Sequence, residues 1–204
     1  MAIKGKFITL EGVDGAGKST HLAWLEQHLR NLGHELIVTR EPGGTPLGET
    51  LRTLLLNESM HIETEALLMF AARREHLDKV IFPALDQGKW VVSDRFTDAS
   101  FAYQCGGRGI DENKLEILEN WVHPDFQPDL TLLFDVSIEV SQQRLANNNA
   151  ELDRFEKEQG AFFQKVRQKY LDRAAKYPNR IKVVDSSIAL HEIQVKLAEI
   201  LKII

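Results

Sequence analysis

The sequence predicts a three-layer α/β/α sandwich built around a parallel sheet of about five strands. Three observations predict it. Five short runs rich in aliphatic and aromatic residues recur along the chain. A longer segment with helical spacing follows each run. The first run leads directly into a glycine-rich turn. Strands that alternate with helices imply right-handed crossovers and a sheet covered on both faces. The 204 residues fit one such domain, 1–204, with enough chain to bury a core.

The strand candidates, in order, are Lys6 to Leu10, Glu35 to Thr39, Trp90 to Ser93, Leu130 to Asp135 and Ile181 to Val184. After the first, Leu22, Leu25, Leu29 and Leu32 recur at intervals of three and four, and Gly33 follows as a C-terminal cap. The stretch from Glu63 to Gln87 reads as a long helix, with Pro83 placed to kink it. Leu190, Ile193, Leu197, Leu201 and Ile204 mark a last helix. No repeat or interdomain linker interrupts the pattern.

Composition narrows the partners. The net charge is −5, which disfavours nucleic acid as a ligand, because a duplex-binding surface carries a basic surplus. No run reaches the length of a membrane span, and the first residues lack the features of a signal peptide. A lone cysteine, Cys105, allows no internal disulfide and fits a reducing compartment. Its small side chain is expected to be packed. These features together predict a cytoplasmic protein.

The chemistry begins at Gly12, Val13, Asp14, Gly15, Ala16, Gly17, Lys18 and Ser19, followed by Thr20. The spacing is G-x-x-x-x-G-K-[ST] between a strand and a helix. Glycines let successive N–H groups turn inward around an anion at a helix N-terminus. Lys18 can reach the β- and γ-phosphates, and the Ser19 hydroxyl suits Mg²⁺, a hard ion. A bound nucleoside triphosphate such as ATP is therefore expected. A GTPase is disfavoured, because no Asn-Lys-x-Asp motif is present, and a mechanical ATPase usually needs more chain.

Other residues gather where strands end, and a parallel sheet opens its ligand crevice there. Asp94 and Arg95 close the third run; one can hold the Mg²⁺ shell and the other a phosphate. Arg40 and Glu41 close the second run, ahead of the shaped loop Pro42-Gly43-Gly44-Thr45, and Arg52 lies beyond. The Val184-Asp185-Ser186-Ser187 segment is a candidate adenine contact, or else supplies an N-cap from Ser186 or Ser187.

The segments GVDGAGKST, TREPGGT, FAARREHL, VVSDR, AYQCGGRG and LDRFE stand in this order between Phe7 and about Glu156. Together they resemble the bacterial thymidylate kinases, a family of P-loop nucleoside monophosphate kinases. The resemblance implies phosphorylation of dTMP to dTDP by ATP with Mg²⁺, and a homodimer. It places Arg95, Arg40 and Arg52 on the acceptor phosphate and Asp14 on the sugar 3′-hydroxyl. Arg73 falls on the thymine carbonyl, Ser100 and Gln104 on the base edge, and Tyr103 against the sugar 2′ position. Either Met69 or Phe70 would pack on the base. A lid over about 144–156 would bring Arg144 and Arg154 to the transferred phosphoryl group, although its middle reads Asn147-Asn148-Asn149. Gly15 stands where eukaryotic members have an arginine. Leu67, Leu68 and Phe70 could form a dimer face. The alternatives are a kinase for another nucleoside monophosphate, or a nucleotide-dependent binding module without an acceptor.

Overall fold

The structure is a computed structural model that describes residues 5–146, 154–156, 158 and 160–204. Five strands build one parallel sheet: β1 (Phe7–Glu11), β2 (Leu36–Arg40), β3 (Trp90–Asp94), β4 (Leu130–Asp135) and β5 (Ile181–Asp185). Their order is β2-β3-β1-β4-β5, so the phosphate-loop strand is central. Leu10 and Arg40 both lie level with Asp94 in the register. Alternate residues point to opposite faces. Ile8, Leu10 and Val92 enter one apolar core, and Phe7 and Val91 enter the other.

All five strand candidates form. Four of them run one residue further than their apolar runs, onto Glu11, Arg40, Asp94 and Asp185. Each of those last residues is charged, so hydropathy ends one position before the hydrogen-bonded ladder does.

The helices cover both faces. α1 (Lys18–Asn31) buries Leu25 and Leu29. Gly33 takes φ +90° beyond its end, and His34 N–H reaches back to the Leu29 carbonyl, as a glycine cap requires. α2 (Pro46–Asn57) is capped by Thr45, whose hydroxyl accepts from Gly48 N–H, with Pro46 at the first helical position.

The stretch from Glu63 to Gln87 is not one α-helix. α3 (Ile62–His76) passes through a π-helical turn at Leu77–Ile81 into α4 (Phe82–Asp86). The irregularity precedes Pro83, which sits in the first turn of α4 where its missing N–H costs nothing. α5 (Thr97–Ser100) likewise runs into a π turn at Phe101–Gly107, followed by α6 (Glu112–Val122). α7 (Ile138–Ala146), α8 (Gly160–Lys176) and α9 (Leu190–Ile200) complete the layers, and a 3₁₀ turn at Leu201–Ile203 ends the last. Among the described residues no helix is long and apolar enough to cross a membrane.

His123 ties the end of α6 to α5 as a neutral ring. Its Nδ1–H donates to the Phe126 carbonyl at 3.0 Å, and Nε2 accepts from the Thr97 hydroxyl at 2.9 Å. Burial, then the charge of Arg73, pushes its pKa from 6.5 down to about 4. Between those values the folded chain binds fewer protons than the unfolded one, so stability rises with pH across that window. Unfolding titrations at pH 7 and pH 4.5 should show His123→Gln losing less stability on acidification than the wild type. The expected difference is roughly 2–3 kcal/mol.

Candidate active site

The carboxyl ends of β1, β2 and β3 open onto two adjoining cavities. The inner one is lined by Met69, Arg73, Phe96, Ser100, Tyr103 and Gln104, apolar and polar groups together, as small-molecule sites are. The outer one runs along the glycine-rich loop after β1. Asp14, Glu41, Arg52 and Arg95 line both, so they form the wall where the cavities meet.

The loop folds as its glycines demand. Gly15 has φ +79°, and a Cβ there would lie 2.4 Å from the Ser141 carbonyl oxygen in α7. Gly17 has φ +92° and starts α1, leaving Ser19 and Thr20 exposed in the first turn. Lys18 Nζ donates to the Gly12 and Val13 carbonyls at 3.0 and 3.2 Å. Burial, then the neighbouring Arg95 charge, lowers its pKa. Gly15, Gly17, Lys18, Ser19 and Thr20 line the outer cavity together with Asp94. Asp94 Oδ1 is buried and has no hydrogen-bond partner among the described residues.

Arg95 is the centre of the dividing wall. Its φ is +71°, a strained value for a residue with a side chain. Neighbours hold it there: its N–H donates to the Leu10 carbonyl, and the next N–H, of Phe96, donates to Glu11 Oε1 at 2.7 Å. The guanidinium donates to Asp14 Oδ1 at 2.6 Å, the Gly12 carbonyl at 3.1 Å, Tyr103 Oη at 2.9 Å and Tyr170 Oη at 3.0 Å. Burial opposes the ionisation of Asp14. The charges of Arg95 and Lys18 outweigh that and hold its carboxyl at about 2. Tyr103 also donates to Asp14 Oδ2 at 2.9 Å.

α3 supplies another wall. Glu65, Met69 and Arg73 recur every four residues and so share one face. Met69 and Arg73 line the inner cavity. Phe70 turns the other way, 1% exposed, into the core with Phe7 and Phe96. Of the two base-packing candidates, Met69 therefore faces the cavity. Phe70 serves as a shelf beneath the Arg73 guanidinium, 4.6 Å from its ring centre. Glu41 Oε2 accepts from Arg73 Nε at 2.8 Å, while Nη2 donates to Ser100 Oγ and the Phe96 carbonyl. Glu41 Oε1 takes Nδ1–H of His76 at 3.0 Å. Arg73 Nη1 is buried without a partner among the described residues. Ser100, Tyr103 and Gln104 come to the same cavity from α5 and the π turn after it.

The glycines of the loop after β2 are equally constrained. Gly44, at φ +78°, would place a Cβ 2.5 Å from His76 Nε2. Beside it, Arg40 donates to Glu49 at 2.8 Å, and Arg52 Nη1 donates to the Pro42 carbonyl at 2.9 Å.

The two lid arginines part company. Arg144 lines the outer cavity and donates to the carbonyls of Gly15 and Ser186, at 3.4 and 2.9 Å. Arg154 lines neither cavity; it pairs with Glu65 and donates to the Leu55 carbonyl at 3.2 Å. In this arrangement the buried acid holds it apart from the phosphate loop. The asparagine stretch 147–149 lies outside the described residues. Ser186 Oγ donates to the Ala16 carbonyl at 2.8 Å, which ties the loop after β5 to the phosphate loop. Neither Ser186 nor Ser187 caps α9, whose N-cap is Ala189.

Sequence reasoning missed Glu11, Glu65, Phe155 and Tyr170. Phe155 lines the inner cavity and meets the Tyr103 ring edge-on. Burial, then the Asp98 charge, raises the Glu11 pKa to about 7, and Tyr170 donates to it at 2.7 Å. An acid at the end of an apolar strand run was a readable signal for Glu11. The four-residue spacing before Met69 and Arg73 was one for Glu65.

A triphosphate loop that shares an arginine-bearing wall with a second cavity defines a P-loop phosphotransferase acting on a small acceptor. The thymidylate kinase family model matches residues 10–197. A thymidylate kinase from Nitrosomonas europaea is 63% identical over 201 residues, covering 98% of this chain and 93% of that protein. One from Cupriavidus necator is 57% identical, covering 98% of both. The crystal structure of thymidylate kinase from Ehrlichia chaffeensis superposes with a TM-score of 0.80 at 34% identity, covering 98% of this chain and 99% of that one. The chain belongs to the thymidylate kinase family, and is an enzyme that phosphorylates dTMP with ATP.

The geometry of Gly15 makes a test. Gly15→Ala must push α7 aside and adopt a strained φ, so denaturant unfolding should show a loss of about 1–3 kcal/mol. ATP should raise the melting temperature of the wild type but not of this variant.

Proposed function

We propose that dTMP occupies the inner cavity and the phosphates of ATP the outer one, so that the γ-phosphoryl group passes in line across the Arg95–Asp14 wall. The observation that carries this reading is the shared wall. It brings two anionic groups to one guanidinium while the rest of each substrate lies in its own cavity. An acceptor phosphate oxygen is already anionic at neutral pH, so the reaction needs positioning and charge neutralisation rather than a general base.

Each residue has a part in this scheme. Lys18 and the loop N–H groups hold the triphosphate. Arg95, with Arg40 and Arg52, holds the acceptor phosphate, and Asp14 takes the sugar 3′-hydroxyl. The free Arg73 Nη1 donates to a thymine carbonyl, over Met69. Tyr103 has its hydroxyl committed to Arg95 and Asp14, so a ribose 2′-hydroxyl beside it would gain a steric neighbour without a partner. Arg144 brings its charge to the outer cavity, beside the triphosphate. Mg²⁺ suits the orphaned carboxylate oxygen of Asp94 and the exposed Ser19 hydroxyl. The ion prefers few protein oxygens shared with phosphates and water. When bound, it would offset charge on the phosphate oxygens. The free Cys105 and the small polar substrates support a cytoplasmic location.

The homodimer rests on an apolar face shared by α3 and α6. Leu67, Ile117 and Trp121 are 54%, 66% and 79% exposed there. Leu68 is half-buried, and Phe70 belongs to the core instead. Light scattering should give a dimer for the wild type, and Leu67→Glu combined with Ile117→Glu should give a folded monomer.

An ADP-release assay at fixed MgATP, with dTMP, dUMP, dCMP, UMP, AMP, GMP and thymidine as acceptors, tests the reading. dTMP should give the highest kcat/KM. Lys18→Ala should lower kcat by roughly a hundred- to a thousand-fold with the fold intact. If no acceptor stimulates ADP release, the two-cavity scheme fails.

A further inference from the structure

The inner cavity has a hydrogen-bonding polarity, and a buried carboxylate behind it sets that polarity. Gln104 lines the cavity, and its Nε2 donates to Glu65 Oε1 at 2.8 Å. Glu65 is 1% exposed. An ionised carboxylate only accepts hydrogen bonds, so of the two ends of an amide it pairs with the NH₂. The carbonyl end would face like charge. The Gln104 amide is therefore turned with Oε1 away from Glu65, and Oε1 has no hydrogen-bond partner among the described residues.

Arg73 stands on the same cavity with the opposite character. Its Nε and Nη2 are committed to Glu41, Ser100 and the Phe96 carbonyl, which leaves Nη1 as a buried donor without a partner among the described residues. The cavity thus offers a base one donor and one acceptor. Thymine presents the complement, the O4 acceptor next to the N3–H donor. Cytosine presents the N4 amino donor next to the N3 acceptor and so mismatches at both places. A buried polar group left unpaired costs more than a paired one gains, so the mismatch discriminates strongly.

We propose that Glu65 is a specificity-determining residue that never touches the acceptor. By fixing the Gln104 amide, it selects a pyrimidine with a carbonyl and an N3–H over one with an amino group. Its own orientation is fixed in turn. Glu65 Oε2 is held by Arg154, with Arg108 Nε at 3.6 Å, so the carboxylate is locked between a lid-flanking arginine and the π turn that carries Gln104. Arg154 then acts as the counter-charge of this acid rather than as a phosphate ligand. The proposal rests on the reading of the inner cavity as the base site.

The test compares dTMP with dCMP as acceptors. The readout is the ratio of their kcat/KM values, or of the dTMP KM to the inhibition constant of dCMP where dCMP turnover is too slow. In Glu65→Gln the new amide can donate or accept, so Gln104 can present either end to the base. The ratio should fall by about ten-fold or more, chiefly through tighter dCMP binding. A merely structural loss would lower both values and leave the ratio unchanged. Adding Gln104→Glu to Glu65→Gln exchanges the two groups: the amide at 65 donates, and the carboxylate at 104 again turns an acceptor to the base. This double variant should return to within a few-fold of the wild-type ratio.

A folded Glu65→Gln with the wild-type ratio overturns the proposal. So does a double variant no more selective than Glu65→Gln. If Glu65→Gln melts out, the double variant decides alone: a kept dTMP preference supports the proposal, and a lost one overturns it. A wild type that does not phosphorylate dTMP would instead refute the base-site reading itself, which separates the two failures.

Discussion

The crevice depends on the ion pair between Arg95 and Asp14. Arg95 stands one residue past β3, and Asp14 lies inside the loop after β1, so the pair fixes two strand ends that have no covalent link nearby. Removing two charges from water is expensive, and such pairs stabilise a fold poorly. Their value here is positional. Arg95 is held by Asp14, a backbone carbonyl and two tyrosine hydroxyls, and one of those tyrosines comes from α8. Tyr170 also leans on Glu11 beneath, and Glu11 anchors the N–H that follows the strained residue. Strand, loop and outer helix thus converge on one guanidinium.

The same device recurs in the layers. Glu41 joins the end of β2 to Arg73 and His76 of α3. Burial opposes its ionisation, but the Arg73 charge lowers its pKa nonetheless. Asp98 in α5 accepts from Arg173 of α8 and from Arg180 just before β5. Burial again works against the charge, and the two guanidiniums hold the carboxyl at about 2. Each buried acid takes a cation from a different element, so the acids set how helices sit relative to the sheet. An apolar contact would tolerate sliding that a hydrogen-bonded pair resists.

What the sequence made legible follows from this division. Apolar periodicity revealed all five strands and the helices that bury leucines, because burial is a repeating demand. The phosphate loop was legible because its backbone needs glycines at fixed offsets. The strand ends were misplaced by one residue where a charged group takes over, as at Glu11 and Asp94. The pairing of Arg154 with Glu65 was not legible because the two lie 89 residues apart in the chain. Tyr170 was invisible for a similar reason: its bond to Glu11 spans 159 residues. Which of two adjacent residues, Met69 or Phe70, faces the cavity depends on helix rotation. Neighbouring positions differ by about 100° in that respect, and the alternatives are both apolar.

Two of the helical stretches that line the inner cavity contain a π turn, at Leu77–Ile81 and Phe101–Gly107. A π turn is an α-helix with one residue to spare. Its loss would leave a perfectly regular helix, and the apolar residues beyond would be turned by about a third of a circle. The molecule therefore carries two places where a single codon deletion would improve local regularity and ruin alignment. The spacing from Ser100 to Gln104 is therefore a geometric unit: lengthening or shortening it would turn Gln104 out of the cavity that Ser100 lines.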